Sequence, residues 1–99
     1  MSVGDKMKEI ELKSAVQKAI RADELLNDPL IQEFIVAIRG DLLNKFESTD
    51  LSNDAERMDA WRKSQVLNMF LDKFRKTIRD GKNARIKLLD RAKNLVNNR

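Results

Sequence analysis

Chemistry in this chain would fall to Asp, Glu, Lys, Ser and Thr, because it holds no Cys, His or Tyr. Without Cys there is no disulfide framework, thiolate metal site or cysteine nucleophile. Without His the commonest general acid/base and the commonest zinc ligand are missing. Acids and bases do recur at helical spacing, as in Glu9–Lys13 and Asp72–Lys76. In each pair the acid stands four residues before the base, which is the arrangement of a surface ion pair on a helix. No strand is expected to precede a Gly-rich turn, so no phosphate loop is expected either. The residues point to no catalysis, no cofactor, no metal and no small-molecule substrate.

Two features remain that suit binding. Trp61 is the single Trp, in Met58-Asp59-Ala60-Trp61-Arg62-Lys63. It either packs over one end of a helix pair, with its N–H turned to solvent or a carbonyl, or anchors an interface, where Trp and Arg dominate. Phe34, Phe70 and Phe74 join it as candidate interface residues. The second feature is charge. Residues 1–50 carry seven basic and ten acidic residues, and residues 51–99 carry thirteen and six. The overall +4 therefore hides −3 against +7, and residues 73–99 alone hold ten basic and two acidic residues. Lys73, Arg75, Lys76, Arg79, Lys82, Arg85, Lys87, Arg91 and Lys93 recur every two to four positions. On a helix they cannot share one face, but Arg75, Arg79 and Lys82 do, as do Lys87 and Arg91. Such a helix can neutralise phosphates without reading base sequence, or dock on an acidic protein, including another copy's front half. It can also be simply a solvated face.

The elements that carry these residues read as helices. Gly and Pro number 3 and 1 in 99 residues, and 36% of the chain is charged. Abundant Lys, Glu, Leu, Arg and Ala favour helix over sheet. Apolar residues from Ile10 to Leu26 follow the i, i+3, i+4 rule, which predicts helix 1 over about 5–26. Asn27-Asp28-Pro29 breaks it: Asp28 suits an N-cap, Pro29 the first helical position, and Pro29 pushes Asp28 out of helical geometry. Helix 2 is predicted over 29–46. It is apolar around most of its circumference, from Leu30 through Phe34 to Leu43 and Phe46, which predicts a central helix. Gly40 within it marks a close helix crossing or a weak spot costing about 1 kcal/mol.

Glu47 to Asn53 is a polar loop interrupted by Leu51, and Ser52, Asn53 or Asp54 caps the next helix. Helix 3 is predicted over 54–79, with Leu67, Phe70, Leu71, Phe74 and Ile78 as its stripe. Gly81 either ends it or lies inside one helix, since Ala84, Leu88, Ala92, Leu95 and Val96 resume the pattern to about residue 96. Asn94, Asn97, Asn98 and Arg99 are expected to fray. The fold expected is a single all-α domain of three to four helices. In it helices 2 and 3 form an antiparallel hairpin, helix 1 packs across them, and a basic helix, 82–96 or a continuation of helix 3, extends or folds back.

No apolar run approaches the ~18 residues of a membrane span, and the start lacks a signal peptide's apolar core. No membrane partner is expected, and the compartment expected is the cytosol or a particle assembled there.

Three stretches resemble a family: Ala22-Asp23-Glu24-Leu25-Leu26-Asn27-Asp28-Pro29, the Glu56-Arg57 to Trp61 turn, and Asp80-Gly81-Lys82-Asn83-Ala84. Their order and spacing resemble short all-helical proteins of tailed bacteriophages and prophages, encoded near virion assembly genes. The resemblance covers about residues 19–90 and brings no catalytic residue. It implies a small non-enzymatic component of phage assembly. On that reading the apolar helix faces would bind protein subunits, as a homo-oligomer or with other phage structural proteins, and the basic helix would bind an acidic partner or DNA. The alternative is a sequence-independent nucleic-acid-binding protein that acts outside any particle.

Overall fold

The computed structural model describes residues 3–50 and 53–97, and of residues 3–7 the backbone alone. Leu51, Ser52, Asn98 and Arg99, to which the sequence assigns loop, cap and fraying roles, lie outside the described residues. Three helices account for nearly all the rest: α1 over Val3–Leu26, α2 over Pro29–Ser48 and α3 over Asp54–Asn97. No strand occurs among the described residues. The chain is all-α.

Local chemistry explains each helix boundary. Asp28 is extended at φ −63° and ψ 130°, and its carboxylate accepts from the Leu30 and Ile31 N–H groups at 2.9 and 3.3 Å. Pro29 comes next, at the first helical position, where no N–H is needed. The Gln32 amide donates to the Leu26 carbonyl, satisfying an acceptor at the end of α1. Thr49 closes α2 by donating its N–H to the Lys45 carbonyl at 3.1 Å. At the start of α3, the Asn53 side chain accepts from the Glu56 N–H at 3.3 Å, so Asn53 is a cap.

α3 runs through Gly81 as one helix of 44 residues, and no glycine has positive φ. It continues through Asn94 to Asn97. The chain groups into two compact units: Met1–Leu25 with Phe74–Arg99, and Leu26–Lys73. α3 contributes to both.

In the first unit the buried residues are small. Ala19, Ala22, Gly81 and Ala84 are buried, with Leu12, Val16, Ile78 and Leu88 half-buried around them. Gly81 has Ala19 beside it: a β-carbon there would lie 2.0 Å from the Ala19 Cβ and 3.0 Å from the Ala15 carbonyl oxygen. The helix-breaking tendency of Gly is thus offset by a backbone approach that no larger residue permits.

In the second unit Ile35, Ala60 and Leu71 are buried. The breadth of apolar sequence in α2 predicts a central helix, and here the structure differs. Ile35 is its buried residue, while Leu30, Phe34, Val36 and Leu43 are each more than half exposed. Within its unit α2 has one helical neighbour, residues 54–73 of α3, and one helix covers a stripe rather than a circumference. Gly40 is likewise no crossing point among the described residues, because a β-carbon there would meet nothing within 4 Å.

Candidate interaction surfaces

The basic residues of α3 stand as the spacing predicts, on a continuous helix. Lys73, Arg75, Lys76, Arg79, Lys82, Arg85, Lys87 and Lys93 are exposed, and Arg91 is half-buried. Lys76 Nζ lies 4.0 Å from Asp80 Oδ2, a long pair on an exposed face that contributes little. Arg75, Arg79 and Lys82 succeed one another at four and three residues and form one exposed ridge.

That ridge continues in a way the residue types alone did not suggest. Ile86, Leu89, Lys93 and Val96 keep the same four-and-three rhythm, and Ile86 and Leu89 are 56% and 53% exposed. The available signal was the interval 82–86–89–93, which sets two aliphatic residues between two lysines. It was hidden by the neighbouring Ala84–Leu88–Leu95 stripe. Of that stripe Ala84 is buried, Leu88 is half-buried and Leu95 is exposed.

Aromatic residues collect where α2 ends and α3 begins. The Arg57 guanidinium sits over the Phe46 ring, 4.5 Å from its centroid. This cation–π contact joins the two helices near the loop between them. Phe46, Arg57, Met58, Trp61 and Asp54 line a shallow groove of about 460 Å³. A second, of about 370 Å³, is lined by Arg39, Leu42, Leu43, Phe46, Ala60, Trp61, Ser64 and Asn68. Trp61 borders both and is 53% exposed. It lies beside Phe46 and Met58 at the junction of the two helices, with about half of its surface open to solvent. Of the other sequence-derived interface residues, Phe34 and Phe70 are exposed and Phe74 is half-buried. Phe34, Trp61 and Phe70 belong to one unit, and Phe74 belongs to the other.

The acid–base pairs behave as helix-surface pairs. Glu9 and Lys13 lie 3.3 Å apart, Arg21 and Glu24 3.6 Å, and Asp59 and Lys63 2.9 Å. The hydrogen bond and charge of Lys63 hold the Asp59 carboxyl below the usual carboxylate range. Among the described residues no group of three or more acidic side chains is placed to hold a metal ion. No helix among them is long and apolar enough to cross a membrane.

Comparison with protein-family models, with curated proteins and with solved structures finds no match for this chain.

Proposed function

We propose that this chain is a non-catalytic assembly protein, a small structural or assembly component of a tailed-phage particle. On this reading it is made in the host cytosol and incorporated in, or acting on, the virion. One observation carries the assembly reading. Leu30, Phe34, Val36, Leu43, Trp61, Val66, Met69 and Phe70 are all more than half exposed within a unit of 48 residues. Scattered single apolar residues need no explanation, but eight of them on two neighbouring helices, around more than one face, add up to apolar surface suited to being covered by partners. α2 and the first part of α3, paired as an antiparallel hairpin, would present it to other protein subunits. The phage context comes from the resemblance of the helix punctuation alone.

The basic ridge supports a second reading, in which the protein binds nucleic acid without sequence preference outside any particle. Arg75, Arg79 and Lys82 are exposed on one face, as phosphate contacts require. Two measurements separate the readings. Solution mass across a concentration range reports assembly. Mobility shift of duplex DNA at two salt concentrations reports phosphate contact, which must weaken steeply as salt rises. A strict monomer that binds DNA strongly overturns the assembly reading. A defined oligomer without DNA affinity overturns the second.

A further inference from the structure

Two exposed helix ridges in this chain carry the same spacing and opposite charge. On α2, Glu33, Val36, Gly40, Leu43 and Glu47 stand at intervals of three, four, three and four residues, so they share one face. All five are exposed, Val36 to 68% and Leu43 to 57%. On α3, Arg79, Lys82, Ile86, Leu89 and Lys93 repeat those intervals in the same order, and all are exposed. Each ridge is bracketed by two like charges at its ends, about 21 Å apart along the helix, around Val36 and Leu43 on α2 and around Ile86 and Leu89 on α3, where Lys82 adds a third base. The brackets are carboxylates on α2 and bases on α3.

We infer that the α2 ridge of one copy is the docking surface for the α3 ridge of a second copy of this chain, a contact that rests on the assembly reading above. Because the two brackets have equal length, Glu33 and Glu47 meet Arg79 and Lys93 whether the helices run parallel or antiparallel. In either direction the central positions, Gly40 and Ile86, fall opposite each other. Among the described residues nothing lies within 4 Å of a β-carbon built on Gly40, so the helix there is open to a partner at the position where Gly costs it most. Opposite Ile86 it supplies the hole for a knob, as Gly81 already supplies room for Ala19. Val36 and Leu43 then flank Ile86, with Leu89 and the aliphatic stem of Lys82 against them. Neither ridge fits its own kind, since α2 on α2 sets carboxylates against carboxylates and α3 on α3 sets bases against bases. The contact joins unlike ridges, so it is made twice in a two-fold dimer or once per neighbour in a ring or chain.

The test is self-association measured by sedimentation across a wide concentration range. The wild-type chain is expected to form oligomers that weaken as salt rises. Glu33→Lys/Glu47→Lys and Arg79→Glu/Lys93→Glu are each expected to weaken association at least about tenfold, since each places like charges across the contact. An equal mixture of the two variants is expected to recover association that neither shows alone, because both α2–α3 contacts between unlike variants again set opposite charges together. Gly40→Leu tests the hole without threatening the fold, because the site is open space within the chain. It is expected to keep its helicity and lose association. A wild-type chain that stays monomeric overturns the inference, even if both reversals change its thermal stability, which would place the contact inside one chain. Oligomers indifferent to both reversals also overturn it, while leaving the assembly reading standing on another surface.

Discussion

Gly81 lies against Ala19 so closely that a β-carbon on it would stand 2.0 Å from the Ala19 Cβ. Real β-carbons do not approach this far, so one of the two helices must move to admit any side chain at position 81. Gly81→Ala is expected to lower stability by about 1–3 kcal/mol through overpacking, despite the better helix propensity of Ala. Urea unfolding of the two proteins, compared at their midpoints, checks it.

Gly40 is the opposite case. A β-carbon there meets nothing within 4 Å, in a helix where Gly is the poorest ordinary choice. Gly40→Ala is expected to raise stability by up to about 1 kcal/mol, read by the same unfolding experiment. If the two substitutions shift stability in the same direction, the contrast between the glycines is wrong.

Asp28 holds two amide protons of the first turn of α2. Asp28→Ala is expected to cost about 1 kcal/mol, whereas Asp28→Asn retains most of the cap. Hydrogen exchange at Leu30 and Ile31 should rise in the Ala variant and stay near wild type in the Asn variant.

The Asp59–Lys63 pair sets a pH dependence whose sign comes from the depressed carboxyl. Its ordinary value is 3.8, and Lys63 lowers it in the folded chain. The contribution is therefore present above that ordinary value and is lost as pH falls through the lower, folded one. The pair is exposed, so the effect is small. Lys63→Met should narrow the stability difference between neutral and strongly acidic solution, and thermal melts at both pH values show whether it does.

Reversing the basic ridge, with Arg75→Glu, Arg79→Glu and Lys82→Glu together, should abolish any salt-sensitive affinity for duplex DNA or an acidic partner. The same three positions changed to Gln should give an intermediate loss. If binding to DNA and to every protein partner is unchanged by the reversal, the ridge is a solvated face.

Much of the architecture was legible in the residue order. The i, i+3, i+4 rhythm gave three to four helices, of which three form, and Asp28-Pro29 placed the break between α1 and α2 to the residue. Capping and periodicity act within a turn or two of chain, so sequence alone carries them. The expected end of helix 2 at Phe46 fell short of Ser48, because the helix continues into the polar residues until the Thr49 N–H closes it on the Lys45 carbonyl. The charge asymmetry and the shared face of Arg75, Arg79 and Lys82 were legible for the same local reason.

What lay beyond the sequence was which surface meets which. Asp80-Gly81 reads equally as a helix end and as a helix interior, and the choice depends on Ala15 and Ala19, more than sixty residues earlier in the chain. Gly40 reads equally as a crossing point and as a weak spot, and among the described residues no other element comes within 4 Å of a β-carbon built on it. The apolar girth of α2 reads as a buried helix, yet its unit supplies one neighbour and leaves Phe34, Val36 and Leu43 in solvent. Burial is a property of the partner across the contact, and no local pattern names that partner.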